Sequence, residues 1–285
     1  MAEQAGMNKA LIGKEYPEVE YEVNPKDCTF YALASNDPDN PWYWQESRPG
    51  GIVAPPMFAV VYGGVVIPQV ILDQELKMNV ALMVHGEQDI KFHKLVKPGM
   101  KIKSRAKIVD ILDKGSGELC QIMVTSTDDA GELVSESLYG FFVRAGGSGK
   151  KPEKKPEPEP GETIFEMKMK VLPLQPYIYA WASGDHNPIH TNPDFATKIA
   201  RLPSIILQGL CTMAFCQKAI VDKLLEQNPE RLKRLAVRFS RPVLPEDEIT
   251  IYGWEIEAGT PRKIGFEAKK PDGTLVIKNG LAEIV

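Results

Sequence analysis

The amino-acid sequence predicts an α+β chain of two tandem repeats, each an antiparallel sheet wrapped around a long central helix. Three observations predict it: one charged linker near the middle, three stretches of the first half that recur in the second, and a switch from helical to strand periodicity. With 285 residues, 43% of them hydrophobic, the chain can bury cores of that size.

The linker is GGSGKKPEKKPEPEPGE, residues 146–162. Glycine flexibility, proline stiffness and dense charge leave it nothing apolar to bury, so it reads as a solvated spacer between a first half, 1–145, and a second, 163–285.

The halves then align. ALASNDPDNPWYW (32–44) parallels YAWASGDHNPIHT (179–191), IKFHKLVKPGMKI (90–102) parallels VRFSRPVLPEDEI (237–249), and GELVSESLYGFFV (131–143) parallels GTLVIKNGLAEIV (273–285). Asn40 and Asn187, Phe92 and Phe239, and Pro98 and Pro245 are all 147 positions apart, whereas the third pair of stretches is 142 apart. Duplication followed by shortening of one hairpin turn explains both spacings.

In the second half, NPDFATKIARL reads as a short helix and IILQGLCTMAFCQKAIVDKLLEQ as a long one, apolar on most sides and therefore buried. From Leu235 onward, LAVRFSRPV, EITIYGWEIEAG, KIGFEAKKP and TLVIKNGLAEIV alternate and are rich in β-branched and aromatic residues, which makes them strands. A buried helix followed by a meander, occurring twice, is a double hot dog.

Several functions are excluded as expectations. A net charge of −4 without a basic stripe argues against nucleic acid. No run is long enough to span a membrane, and MAEQAGMNKALIGKEYPEV has no apolar signal core, so a cytoplasmic location is expected. Cys28, Cys120, Cys211 and Cys216 show no metal or disulfide spacing and read as reduced core thiols. Neither a metal nor a nucleotide cofactor is expected, since no convergent ligand set, GxGxxG or P-loop is present.

One short stretch carries chemistry. In SGDHNPIH (183–190), Pro188 bends the chain so that Asp185 and His190 can face one cavity, although Ser183, Asp185 and Asn187 are also residue types that cap helices. Followed by TNPDFA and LPSIILQGL, it resembles the hydratase signature of the MaoC-like dehydratases and (R)-specific enoyl-CoA hydratases. The resemblance implies that Asp185 and His190 activate a water that adds to an enoyl thioester, with Asn187 in support. It also implies that the Gly209 N–H, at a helix start, receives the developing oxyanion. The family has a His-Gly pair where this chain has Gln208-Gly209.

The first half reads NDPDNPWY, with one extra residue between Asp37 and Asn40 and Tyr43 where the histidine would stand, so it is expected to be degenerate and to shape an acyl tunnel. Trp42, Tyr43 and Trp44 read chiefly as packing. His85 and His93 are expected to lie away from clustered carboxylates, and His186 to point out of the cavity. Arg238, Arg241 and Lys263 are candidates for the phosphates of coenzyme A. The implied activity is reversible hydration of a trans-2-enoyl-CoA to a (3R)-3-hydroxyacyl-CoA. A (3R)-hydroxyacyl-ACP dehydratase and a non-catalytic acyl-thioester binding subunit are the alternatives, and a thioesterase fits the motif less well. The oligomeric state stays open, with a homodimer of the two-repeat chain as a candidate, since two fused repeats already mimic a dimer of single ones.

Overall fold

The computed structural model describes residues 6–150 and 159–285, so the middle of the charged linker lies outside the described residues. The first half runs β1 (Val19–Glu22), α1 (Pro25–Ala34), α2 (Ala59–Tyr62), α3 (Ile67–Ile71), β2 (Met83–Phe92), β3 (Lys101–Asp113), β4 (Glu118–Asp128) and β5 (Leu133–Val143). The second runs β6 (Thr163–Lys170), α4 (Gln175–Ser183), α5 (Pro188–Thr191), α6 (Gly209–Leu224), β7 (Leu232–Phe239), β8 (Glu248–Glu257), β9 (Arg262–Lys269) and β10 (Leu275–Ile284).

The ten strands form one antiparallel sheet in the order β1-β3-β4-β5-β2-β7-β10-β9-β8-β6. Read outward from the centre, both halves have the same order, and β2 and β7 join them from Glu87 opposite Arg238 to Lys91 opposite Arg234. Arg234 fastens this seam with a bidentate pair to Asp89, at 2.8 and 2.6 Å, and a third bond to Glu283 at 3.0 Å. This is the α+β double hot dog that the repeats predict.

Helix α6 is buried on every side from Cys211 to Val221. Neither Gly nor Pro interrupts it after Gly209, and the sheet supplies Ile249, Ile251, Ile264, Phe266 and Ile277 as its packing face. The first half differs locally, because its core segment from Pro56 to Ile71 is broken into short helical pieces instead of one long helix. Gly63, Gly64 and Pro68 fall inside that segment, and the first two lack helix propensity while proline removes a donor. The stretch read as a short helix after the motif is a single π-helical turn, Phe195–Ile199.

Helices α1 and α4 pack together where the halves meet, with the Tyr31 and Tyr179 hydroxyls 3.0 Å apart. All four cysteines are buried and free. Among the described residues, no helix is long and apolar enough to cross a membrane.

Candidate active site

The loop after α4 is built from nested capping bonds. Gly184 adopts φ 79°, a left-handed value that favours glycine and ends the helix. Ser183 Oγ donates to the Tyr179 carbonyl at 2.7 Å and accepts from the Asp185 N–H at 3.2 Å. Asp185 Oδ1 accepts from the Asn187 N–H at 3.2 Å, and Asn187 Oδ1 accepts from Ile189 N–H at 3.2 Å to cap α5, which Pro188 opens. Capping and site assembly are thus one device, since these turns leave Asp185 Oδ2 facing His190.

His190 is buried, and its Nδ1 lies 2.8 Å from the Ile206 carbonyl. A carbonyl only accepts, so Nδ1 carries the proton and, in the neutral ring, Nε2 presents its lone pair. Nε2 stands 3.7 Å from Asp185 Oδ2, too far for a direct hydrogen bond and close enough for one oxygen atom to reach both. Burial holds the His190 pKa below the ordinary imidazole value, with Asp185 and the Ile206 carbonyl opposing it. The segment before α6 is anchored by Ile206 N–H to Ile189 carbonyl at 3.2 Å and Leu207 N–H to Val243 carbonyl at 2.8 Å.

Gly209 is the first residue of α6, where N–H groups have no intrahelical acceptor. A Cβ at this position would sit 3.1 Å from the Phe239 ring, so only glycine leaves the N–H open beside that wall. Gly209→Ala is therefore expected to displace the amide and lower kcat by about tenfold, less than outright loss of an oxyanion donor. Steady-state kinetics on an enoyl thioester checks it. Gln208, fully buried, donates from Nε2 to the Pro176 carbonyl at 2.9 Å and, more weakly, to the Asp185 carbonyl at 3.5 Å. The residue that replaces the family histidine thus ties the motif loop to the start of α4.

At the matching place in the first half stands a closed ionic cluster. Lys218, from α6, reaches Asp37 Oδ1 at 3.0 Å and Asp222 Oδ2 at 2.8 Å, and Asp37 is 1% exposed. Burial pushes the Asp37 carboxyl up to about 6 against the pull of Lys218. Burial also opposes the charge on Lys218, but the two carboxylates outweigh it and hold its pKa above the usual value. Tyr43 is fully buried in a satellite core with Ala32 and Val53, and Trp42 packs against it with the Arg48 guanidinium on its face at 3.7 Å, whereas Trp44 is exposed.

Lys263 Nζ pairs with Glu257 at 2.6 Å, and its strand register places it beside Glu283 and Arg234, five residues along β7 from the Phe239 end. Arg238 and Arg241 are exposed near that Phe239 end, with Arg238 opposite Glu87. His93 does have a carboxylate partner, Glu136 at 3.0 Å on the surface. His85 is the residue the sequence reading missed. Because β2 runs antiparallel to β7, His85 comes past the end of β7 and packs edge-on to Phe239, ring centres 5.1 Å apart, within the electrostatic reach of Asp185. Burial pushes its pKa down to about 4 despite that carboxylate. His186 is exposed and lies against Trp181, ring centres 5.0 Å apart. Among the described residues, no three His, Cys, Asp or Glu side chains converge as metal ligands.

Two family models divide the chain between them: a FAS1-like dehydratase domain region matches residues 10–137, and a MaoC like domain matches residues 149–274. Residues 149–274 thus carry a MaoC-like domain. Relatives of the chain include a probable enoyl-CoA hydratase 2 of Dictyostelium discoideum, 28% identical, with 97% of this chain and 96% of the relative covered. A 3-hydroxyacyl-thioester dehydratase Y of Mycobacterium tuberculosis is 31% identical over 64% of each chain. A crystal structure of a MaoC-like dehydratase from Phytophthora capsici, 24% identical, superposes with a TM-score of 0.83 over 97% of both chains and shares the fold of this MaoC-like chain.

Proposed function

We propose that this MaoC-like chain reversibly hydrates a trans-2-enoyl-CoA to a (3R)-3-hydroxyacyl-CoA. The observation that carries the proposal is the Asp185 Oδ2 to His190 Nε2 gap of 3.7 Å, with Nδ1 already committed to Ile206. Names among the relatives, enoyl-CoA hydratase and 3-hydroxyacyl-thioester dehydratase, support the two directions of one reaction.

A water held between these two atoms attacks C3 while its proton passes to His190 Nε2. The C2=C3 electron pair moves into the thioester, and the Gly209 N–H stabilises the enolate oxygen at the positive end of α6. C2 then takes a proton from the imidazolium on the same face, which restores the neutral base and completes the addition of one water. In this reading the second half, 163–285, carries the reacting groups and the first, 1–145, shapes the acyl site, with Arg238 and Arg241 as phosphate contacts. A homodimer of the chain belongs to the same reading and is checked by sedimentation equilibrium.

Purified protein is expected to remove the enoyl absorbance of a short trans-2-enoyl-CoA, faster than that of the matching ACP thioester. No loss with either carrier rejects the assignment. Only neutral His190 accepts the proton, and its pKa is lowered, so in hydration the acid limb of kcat/KM lies below the ordinary imidazole value of about 6.5. A pH profile with its acid limb above that value contradicts the assignment of the base.

A further inference from the structure

Among the described residues, most buried polar side-chain atoms that lack a hydrogen-bond partner fall into two groups, the others being Arg48 Nε, Gln208 Oε1 and Gln217 Nε2. One surrounds Lys218 and is held by its charge. The other consists of His85 Nε2, which feels the Asp185 carboxylate and lies close enough to Gln88 to interact with it, both amide atoms of Gln88, Ser137 Oγ and the Tyr139 hydroxyl, all on strands β2 and β5 of the first half.

Buried polar atoms rarely go unsatisfied, because each gives up its bonds to water and gains none in return. Chance placement explains this group poorly. Gln88 and Tyr139 are directly opposite each other in the β2–β5 register, are 1% and 3% exposed, and point inward, as the alternation of buried Gln88, Ile90 and Phe92 with more open neighbours shows. Nearby tyrosines are satisfied: Tyr62 donates to Ser135 Oγ at 3.1 Å, and Tyr31 pairs with Tyr179.

The group is also continuous with the active site. Phe239 lies against Gly209, His85 packs on Phe239 at 5.1 Å, and the Tyr139 ring stacks on His85 at 5.7 Å and 20°. Those steps lead away from the reacting carbons and into the first half, the direction an acyl tail takes if the first half shapes its site. A saturated tail would bring no partner for these atoms; a hydroxyl on the tail would bring both a donor and an acceptor, and a keto oxygen an acceptor.

We propose that the preferred acyl group is oxygenated, with a hydroxyl or keto oxygen beyond the double bond that hydrogen-bonds to Gln88 and Tyr139, past His85 at the entrance. This rests on the hydratase reading and adds the substrate class to it.

The test compares kcat/KM for trans-2-enoyl-CoAs of equal length, with and without a hydroxyl or keto group moved along the tail. Crotonyl-CoA, which has no tail, is the control for hydratase activity. One gained hydrogen bond corresponds to about a tenfold preference, so the wild type is expected to favour at least one oxygenated isomer by tenfold or more. That ratio should fall toward one in Gln88→Leu and in Tyr139→Phe. Because the ratio is taken within each variant, a loss of folded protein cancels. A wild-type ratio of one or less at every position, or an unchanged ratio in both variants, overturns the inference. Hydration of crotonyl-CoA with no preference defeats this inference alone, whereas no hydration of any enoyl thioester defeats the hydratase reading and this inference with it.

Discussion

Asp185→Asn is expected to lower kcat for enoyl-thioester hydration by roughly 10²–10⁴-fold while leaving the thermal midpoint close to that of the wild type. The substitution keeps an oxygen at Oδ1, so the turn bond from the Asn187 N–H survives. It removes the negative Oδ2 that faces His190 Nε2 at 3.7 Å. The carboxylate side chain is 38% exposed, so little packing is lost. His190→Ala should reduce kcat by a similar factor, and the double variant should be little worse than either single one, because in the proposed reaction the two groups act on one water. Steady-state kinetics with calorimetry decides the point: full activity in either variant, or a fall in activity that only tracks unfolding, contradicts the assignment.

The second large effect is on stability. Lys218→Met removes the cation from between Asp37 and Asp222 and strands the Asp37 carboxylate in the interior. Breaking a buried pair in this way typically costs about 3–5 kcal/mol, which for a chain of this size lowers Tm by roughly 10 °C. Adding Asp37→Asn should restore much of the loss, because an amide needs no counter-charge. A single variant with unchanged Tm, or a double variant no more stable than the single, shows that the cluster does not hold the two halves together. The same geometry explains why the first half keeps its aspartate without the histidine: Asp37 has become a structural anion for a lysine of the other half.

What was legible in the sequence was local or repeated. Strands β7 to β10 declare themselves by alternation, α6 by an apolar run free of interruption, and the motif loop by Ser183, Asp185, Asn187 and Pro188, whose capping chemistry is intrinsic to those residue types. The break in the first-half helix is visible in Gly63, Gly64 and Pro68 once it is looked for. What was not legible depends on register between distant segments. Lys218 meets Asp37 across 181 positions. His85 reaches the site only because β2 pairs with β7, a join that no periodicity encodes. The place of Lys263 was not legible for the same reason, since belonging to a strand of the second half does not say which end of the sheet a residue occupies.

The central claim is that Asp185 and His190 act on one face of the substrate, with the base that deprotonates water returning a proton to C2. Hydration of a trans-2-enoyl-CoA in deuterium oxide, with the configuration of the product determined at C2 and C3, tests it most directly. The predicted product is (3R), with deuterium and oxygen added to the same face. A (3S) product, or addition to opposite faces, contradicts it.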